Sequence, residues 1–194
     1  YTSLLFVPTS KPLDLFEPER KSKVKLYVNR VFIADDLEGL LPPYLRFIRG
    51  IVDSPDLPLN VSREMLQDNP QLKKIQKGLV SRLLKDLKAR SAETEAYDTF
   101  WSAFGSVLKE GLYEDFERRD DILELCRFQT SGDDSWRSLK DYVASMKDGQ
   151  DAIYYITGED AAALKRSPQL EGYLAKGVEV IFLTDPVDEF WVTS

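Results

Sequence analysis

The chain has 194 residues, of which 43% are apolar and 30% charged, and its formal net charge is −7 with a sequence pI near 4.8. This apolar content is enough to form one large hydrophobic core or two smaller ones. The acidic balance argues against general nucleic-acid binding, which needs a basic footprint. The sequence contains no histidine, which excludes Ser-His-Asp triads, Cys-His dyads and His-based metal sites within the chain.

The cysteine count and the first residues bear on the cellular compartment. Cys126 is the only cysteine, so no disulfide forms within the chain, and this suits a reducing cytoplasm. Its apolar surroundings predict a buried, inert thiol. The sequence starts without an initiator methionine or the basic start of a signal peptide, and no apolar run is long enough to cross a membrane. We therefore expect a fragment of a longer cytoplasmic protein.

The first third of the chain is predicted to contain strands and one short helix. The apolar run 4–7 is typical of a buried strand. Apolar and polar residues alternate from 23 to 29, which predicts a second strand that continues through 31–33. Pro42-Pro43 is then predicted to open a helix that extends to Val52.

The clearest helix is predicted over residues 70–90, after an Asn69-Pro70 start signal. Apolar residues recur along it at spacings of three and four, and lysines and arginines occupy its other faces. Such a basic surface either docks an acidic partner or another domain, or is simply solvated because lysine and arginine favour helices. The sequence leaves both interpretations open.

The second half of the chain begins at a polar break, residues 91–95. An aromatic-rich amphipathic helix is predicted over 95–115, with its aromatic face in a core and a weak point near Gly111. A short helix follows around Ile122, and residues 129–136 are typical of a loop.

The last third is predicted to alternate strands and helices. A helix is expected over 138–147, a strand over 152–157, a helix over 160–175 interrupted at Pro168, and a strand over 178–183. A crossover of this length between two strands predicts parallel pairing in an α/β layer.

The most informative stretch is residues 56–67, Asp-Leu-Pro-Leu-Asn-Val-Ser-Arg-Glu-Met-Leu-Gln. Prolines hold the incoming chain extended, and Asn60 and Ser62 are good turn or N-cap residues. Arg63 is thereby presented at a helix entrance, where a guanidinium suits a bidentate grip on a phosphate or carboxylate. The alternative is a solvated arginine, or one paired with a local acid such as Glu64.

This stretch resembles the catalytic loop of the heat shock protein 90 chaperone family, whose pattern is D-L-P-L-N-x-S-R-E-x-L-Q. Five further segments are similar to the family's middle region and follow in family order along nearly the whole chain. They are residues 26–35, 45–53, 138–142, 153–159 and 182–189. The sequence is most similar to a bacterial member.

The resemblance implies an α/β fold with two layered α/β/α subdomains, the first truncated at its N-terminus, joined by a small helical region. Residues 1–90 would form the C-terminal part of the first subdomain, with the catalytic loop and the basic helix. Residues 91–128 would form the helical connector, and residues 129–194 the smaller subdomain. No nucleotide pocket is expected within this region.

The resemblance also implies a part in an ATP-dependent molecular chaperone. Arg63 would reach the γ-phosphate of ATP, with Gln67 as its polar companion and Asn60 shaping the loop. The ATP and its Mg²⁺ would be held by a separate N-terminal domain, so we expect neither ATP hydrolysis nor a metal site on the fragment alone. The rival interpretation is a non-catalytic scaffold that docks partner proteins.

Client proteins and other domains of the parent are the implied partners, with no nucleic acid or membrane. The resemblance places client contacts near the end of the chain, at Glu189, Phe190 and Trp191. The alternative is that these residues pack against a C-terminal dimerisation domain. The parent is expected to be a homodimer and the fragment a monomer.

Overall fold

A computed structural model of the protein describes residues 1–17, 22–35, 37, 39–58 and 69–194. The contacts divide the chain into two compact units, Tyr1–Ala92 and Glu93–Ser194. Both contain a mixed sheet and helices, and the predicted α/β class is confirmed. The finer division into three parts stays a prediction.

Within its described residues, the first unit contains a mixed sheet of four strands. Its strands are β1 (Thr2–Phe6), β2 (Lys23–Val28), β3 (Val31–Ala34) and β4 (Arg49–Asp53). The spatial order is β1-β4-β2-β3. β4 pairs antiparallel with β1 and parallel with β2, and β2 pairs antiparallel with β3.

β4 lies where a helix was predicted, and that prediction was wrong. Only Pro43–Leu45 is helical, as a single 3₁₀ turn. Gly50 has φ +138°, which a helix cannot accept, and a Cβ on it would lie 2.0 Å from the Leu4 carbonyl oxygen. The glycine therefore lets β4 approach β1 closely, and the pairing with β1 and β2 outweighs the local helical pattern.

A turn at Asn29-Arg30 separates β2 from β3, where one continuous strand was predicted. Both residues have positive φ, 49° and 67°, as the type I′ hairpin turn requires. The Arg30 amide donates to the Asp53 carboxylate at 3.1 Å, which ties the turn to the end of β4. This turn is hard to predict from the sequence, because arginine rarely adopts a left-handed backbone conformation.

β1 is an exposed edge strand, so the prediction of a buried strand was wrong. Leu4 is 68% exposed and Phe6 56% exposed. The alternation predicted for β2 is confirmed, because Val24, Leu26 and Val28 are all buried. The buried side chains of this sheet therefore lie around β2 and not at the β1 edge.

The long helix α1 (Pro70–Arg90) has the predicted bounds. The Asn69 side chain accepts hydrogen bonds from the amides of Gln71 and Leu72 at 2.8 and 3.2 Å, so it satisfies two of the unpaired donors at the helix start. The buried stripe repeats every three to four residues, as expected. It consists of Leu72, Ile75, Leu79, Val80, Leu84 and Leu87.

The second unit has seven short to medium helices within its described length. They are α2 (Thr94–Lys109), α3 (Gly111–Glu114), α4 (Arg119–Leu125), α5 (Leu139–Ala144), α6 (Ala161–Lys165), α7 (Glu171–Ala175) and α8 (Asp188–Trp191). Single 3₁₀ turns occur at Phe116–Arg118 and Pro168–Leu170. The predicted helix over 95–115 is divided at Glu110, and its aromatic face is buried as expected.

The second sheet consists of β5 (Gln129–Thr130), β6 (Tyr155–Thr157) and β7 (Ile181–Leu183), in the order β5-β7-β6. β6 and β7 pair in parallel, as predicted. β5 falls in a predicted loop and pairs antiparallel with β7. One face of this sheet packs on a small apolar cluster formed by Leu164, Leu170, Val180 and Phe182.

None of the helices in the described ranges is long and apolar enough to cross a membrane.

Candidate functional site

The predicted catalytic-loop residues Asn60, Arg63 and Gln67 lie outside the described residues, so their roles stay predictions. Both flanks of that segment are described and firmly held. On one side, the Ser54 amide donates to the Tyr27 carbonyl at 3.0 Å. On the other side, Asn69 caps α1. The segment that contains Arg63 therefore starts from a sheet and ends at a capped helix.

The second candidate region is a set of four aromatic residues, here called the aromatic cluster: Tyr113, Phe116, Phe190 and Trp191. Three of their side chains are strongly exposed: Tyr113 at 50%, Phe116 at 63% and Phe190 at 58%. The rings of Tyr113 and Phe190 lie 5.8 Å apart between centroids. The Arg119 guanidinium lies 5.9 Å from the Phe116 ring and donates to the Trp191 carbonyl at 2.5 Å. These contacts place the four residues on one surface of the second unit.

A buried ionic network anchors α8 beneath the aromatic cluster. Lys109 Nζ lies 2.9 Å from one carboxylate oxygen of Asp185 and 2.9 Å from one of Asp188. Asp188 is completely buried, and it also accepts from Trp191 Nε1 at 2.7 Å and from the Asp185 amide at 3.1 Å. All the charges in this network are therefore paired and hydrogen-bonded, as buried charges require.

Burial and charge act in opposite directions on Lys109. Burial acts to lower the pKa of its ammonium group, but the carboxylates of Asp185 and Asp188 outweigh that effect and raise the pKa above the ordinary lysine value. The ammonium group is therefore charged throughout the neutral range, and it holds α8 against α2 electrostatically.

The structure separates the three residues predicted to contact clients. Glu189 and Phe190 are exposed on α8. The Trp191 ring is half-buried, with its centroid 6.4 Å from that of Phe128. Phe190 therefore exposes apolar surface beside Tyr113, whereas Trp191 mainly holds the helix against Phe128 and Asp188.

Sequence reasoning missed Tyr113 and Phe116. Tyr113 falls within the predicted helix 95–115, and Phe116 follows in a run of mixed charges. The signal that could have found them is an aromatic pair spaced by three within a strongly charged stretch. Their proximity to Phe190 depends on the tertiary fold.

Two further observations concern the thiol and possible metal ligands among the described residues. Cys126 is buried, as predicted, and burial raises the pKa of its thiol to about 12, so the reactive thiolate is scarce at neutral pH. Across the described ranges, no group of three or more Cys, Asp or Glu side chains is arranged to hold a metal ion.

The fold described above is that of a middle domain of the heat shock protein 90 (Hsp90) class. The family model of the Hsp90 protein matches residues 1–194, and the chain belongs to the Hsp90 family. The chain is 69% identical over 195 residues to the chaperone protein HtpG of Paramagnetospirillum magneticum and 60% identical over 196 residues to that of Rhizobium meliloti. All of this chain is covered in both comparisons, but it spans only 31% of the length of these relatives.

A solved structure gives the same assignment. The middle domain of a Plasmodium falciparum heat shock protein matches with a TM-score of 0.83 at 33% identity, covering 98% of this chain and 75% of that one. The resemblance to the middle region of a bacterial Hsp90 chaperone is thereby confirmed.

Proposed function

We propose that this chain is the middle segment of an ATP-dependent molecular chaperone that acts in the cytoplasm during the stress response. Its partners would be an N-terminal ATP-binding domain and a C-terminal dimerisation domain of the same homodimeric protein, together with client proteins. The observation that supports this proposal is the family match over the whole chain, combined with the complete catalytic-loop pattern at residues 56–67.

Arg63 is the residue through which the segment would act on ATP. Its guanidinium stays protonated across the physiological range, so it acts as a fixed positive charge and not as an acid or base. An arginine supplied by another domain stabilises the charge that develops on a transferred phosphoryl group. Arg63 and the Gln67 amide are both hydrogen-bond donors, which suits a phosphate, and Asn60 would shape the loop. The ATP and its Mg²⁺ would be held by the N-terminal domain.

The anchored flanks of the loop give this proposal a physical basis. Ser54 is tied to the sheet and Asn69 to α1, so the ends of the intervening segment are fixed. Because Arg63 would come from outside the ATP-binding domain, hydrolysis would require docking of the two domains. Docking would then couple the nucleotide state to the shape of the chaperone.

The direct test is Arg63→Ala in the full-length parent, with Arg166→Ala, an exposed arginine of the second unit, as the matched control. Loss of one such donor typically lowers turnover by about 10²–10³. We expect that fall for Arg63→Ala, with nearly unchanged ATP affinity, and normal turnover for the control. Normal turnover in Arg63→Ala would favour the rival scaffold function, which has no need of an arginine at this position.

The aromatic cluster is the proposed client-binding surface. Exposed aromatic side chains offer a large apolar area with little conformational entropy to lose, which suits partly folded chains. Tyr113, Phe116 and Phe190 supply that area, and Glu189 adds a negative charge beside it. The buried Lys109 network fixes α8, so Phe190 is held ready for contact.

Phe190→Ala in the parent tests this surface, with Phe32→Ala as control because Phe32 is similarly exposed in the first unit, at 52%. We expect the affinity for an unfolded model client to fall about tenfold in Phe190→Ala, as for a moderate interface hot spot, and to stay unchanged in the control. If Phe190 instead packs against the dimerisation domain, client affinity will be unchanged and the dimer will dissociate more readily.

A further inference from the structure

A second surface of interest is the open edge of the sheet in the second unit. β6 lies at the end of the order β5-β7-β6, so only β7 pairs with it among the described strands. An edge strand presents unpaired backbone donors and acceptors to whatever polypeptide approaches it.

The hydrogen bonds to β7 define which backbone groups of β6 point outwards. The Ile181 amide donates to the Tyr154 carbonyl at 2.8 Å, and the Gly158 amide donates to the Leu183 carbonyl at 3.1 Å. In a parallel pair the residues that bond to a given neighbour alternate along the strand. The amides and carbonyls of Tyr155 and Thr157 therefore face away from β7, and no residue in the described ranges pairs with them.

Apolar side chains accompany this open backbone. Tyr155 is 48% exposed, and Ile153, which lies two residues before it and just outside β6, is 41% exposed. On the opposite side, Tyr173 packs against Tyr154 with ring centroids 4.9 Å apart. The neighbouring Leu174 is 48% exposed. The edge therefore offers apolar contacts on both faces of an added strand.

Acidic residues flank the strand at both ends. Asp148 and Asp151 precede it and Glu159 follows it, and all three are exposed. No described lysine or arginine forms an ion pair with any of them. A polypeptide lying along β6 would therefore meet negative charge near both of its ends.

We propose that the β6 edge binds an extended segment of a partner polypeptide, apolar at alternate positions and flanked by basic residues, which adds to the sheet as a fourth strand. Main-chain hydrogen bonds to Tyr155 and Thr157 supply affinity, and the apolar and acidic side chains select the sequence. The surface uses no residue of the aromatic cluster and does not involve ATP, so it stands independently of the function proposed above.

The test uses a fluorescent peptide of alternating valine and threonine with two lysines at each end, titrated into the 194-residue chain. Thr157→Pro removes the outward-facing amide, and proline is tolerated at an edge where the lost donor faces solvent. Thr157→Ala keeps the amide and is the matched control. We expect at least about tenfold weaker binding for Thr157→Pro and unchanged binding for Thr157→Ala, with circular dichroism confirming that both variants fold.

A second measurement needs no variant. Binding of the peptide should slow hydrogen exchange at the Tyr155 and Thr157 amides, and a peptide N-methylated along one edge should bind weakly and give no protection. Replacing the terminal lysines with glutamates should also weaken binding, most strongly at low salt.

Three results would overturn the proposal. The first is equal affinity of the proline variant and its control. The second is peptide-induced protection confined to residues outside β6. The third is protection of Tyr155 and Thr157 that grows with protein concentration in the absence of peptide, because a second copy of the chain would then occupy the edge.

Discussion

The Lys109 ammonium group and the Asp188 carboxylate lie 2.9 Å apart, although the two residues are 79 positions apart in sequence. The contact joins α2, which contains Lys109, to α8, which contains Asp188. Both side chains are buried, at 4% and 1% exposure. Their separation in sequence makes this pair a tertiary clamp that holds α8 against α2. Its strength is open to direct measurement.

Lys109→Met should destabilise the protein strongly. Methionine fills a similar volume but leaves the Asp188 carboxylate buried with no cation, and breaking a buried pair in this way typically costs about 3–5 kcal/mol. The free energy of unfolding in urea gives the number, and Lys140→Met, at an exposed lysine on α5, is the control with an expected change near zero. Equal effects of the two substitutions would show that the buried pair adds nothing.

Ser138 and Asp141 should make stability depend on pH at the acidic end. Asp141 accepts hydrogen bonds from the Ser138 hydroxyl and amide in a capping box at the start of α5, and the Ser138 side chain is the main cause of the lowered pKa of Asp141. The folded pKa lies below the unfolded value of about 3.9. This stabilisation is therefore present above that pH and is lost as the pH falls through the folded pKa.

Ser138→Ala measures that contribution. We expect a loss of about 1 kcal/mol at pH 7, typical of an N-cap, and a smaller difference from the unsubstituted protein below pH 4. Unfolding in urea at a series of pH values supplies the comparison. A difference that stays constant down to pH 2 would contradict the assignment of this pH dependence to Asp141.

Gly50→Ala should damage the first sheet. The alanine would have to adopt φ +138° and place its Cβ 2.0 Å from the Leu4 carbonyl oxygen. The backbone strain alone costs about 1–3 kcal/mol, and relieving the clash would separate β1 from β4. Gly172→Ala is the control, because no atom outside its own chain neighbours and helix backbone lies within 4 Å of its added Cβ. Thermal unfolding should show a large loss for the first variant and little change for the second.

Asn69→Ala should weaken the start of α1. The substitution removes the acceptor for the Gln71 and Leu72 amides and should cost about 1 kcal/mol. Asn69→Asp keeps an acceptor oxygen and should retain most of the stability. If Arg63 depends on this anchored helix start, ATP turnover of the parent should fall with Asn69→Ala but not with Asn69→Asp.

Local signals explain which elements could be predicted. α1 was predicted with its observed bounds because Asn69-Pro70 starts it and its apolar residues repeat with helical spacing, both of which are readable within the segment. β4 was missed because the local sequence around Gly50 does not by itself exclude a helix. Pairing with β1 and β2, which are distant in sequence, makes this segment a strand. The hairpin at Asn29-Arg30 was missed because its backbone conformation is set by pairing and by Asp53.

The residues of the candidate site also fall into two groups, those that the sequence singled out and those that only the tertiary fold brings together. Phe190 was proposed as a client contact because it lies in a stretch that resembles a known family. The structure shows that it is exposed, and its contact role stays a prediction. Tyr113 and Phe116 could not be placed beside it, because only the tertiary fold brings α3 to α8. The roles of Asn60, Arg63 and Gln67 stay predictions that turnover measurements will test.

Cys126 has a practical consequence for labelling chemistry. It is the only cysteine of the chain, and its burial and pKa of about 12 protect it from maleimide reagents in the folded protein. A cysteine introduced at an exposed position such as Val143, which is 52% exposed, would therefore be labelled selectively without removing the native thiol. The native thiol would react only when the second unit unfolds, so one reagent would both attach a probe and report on unfolding.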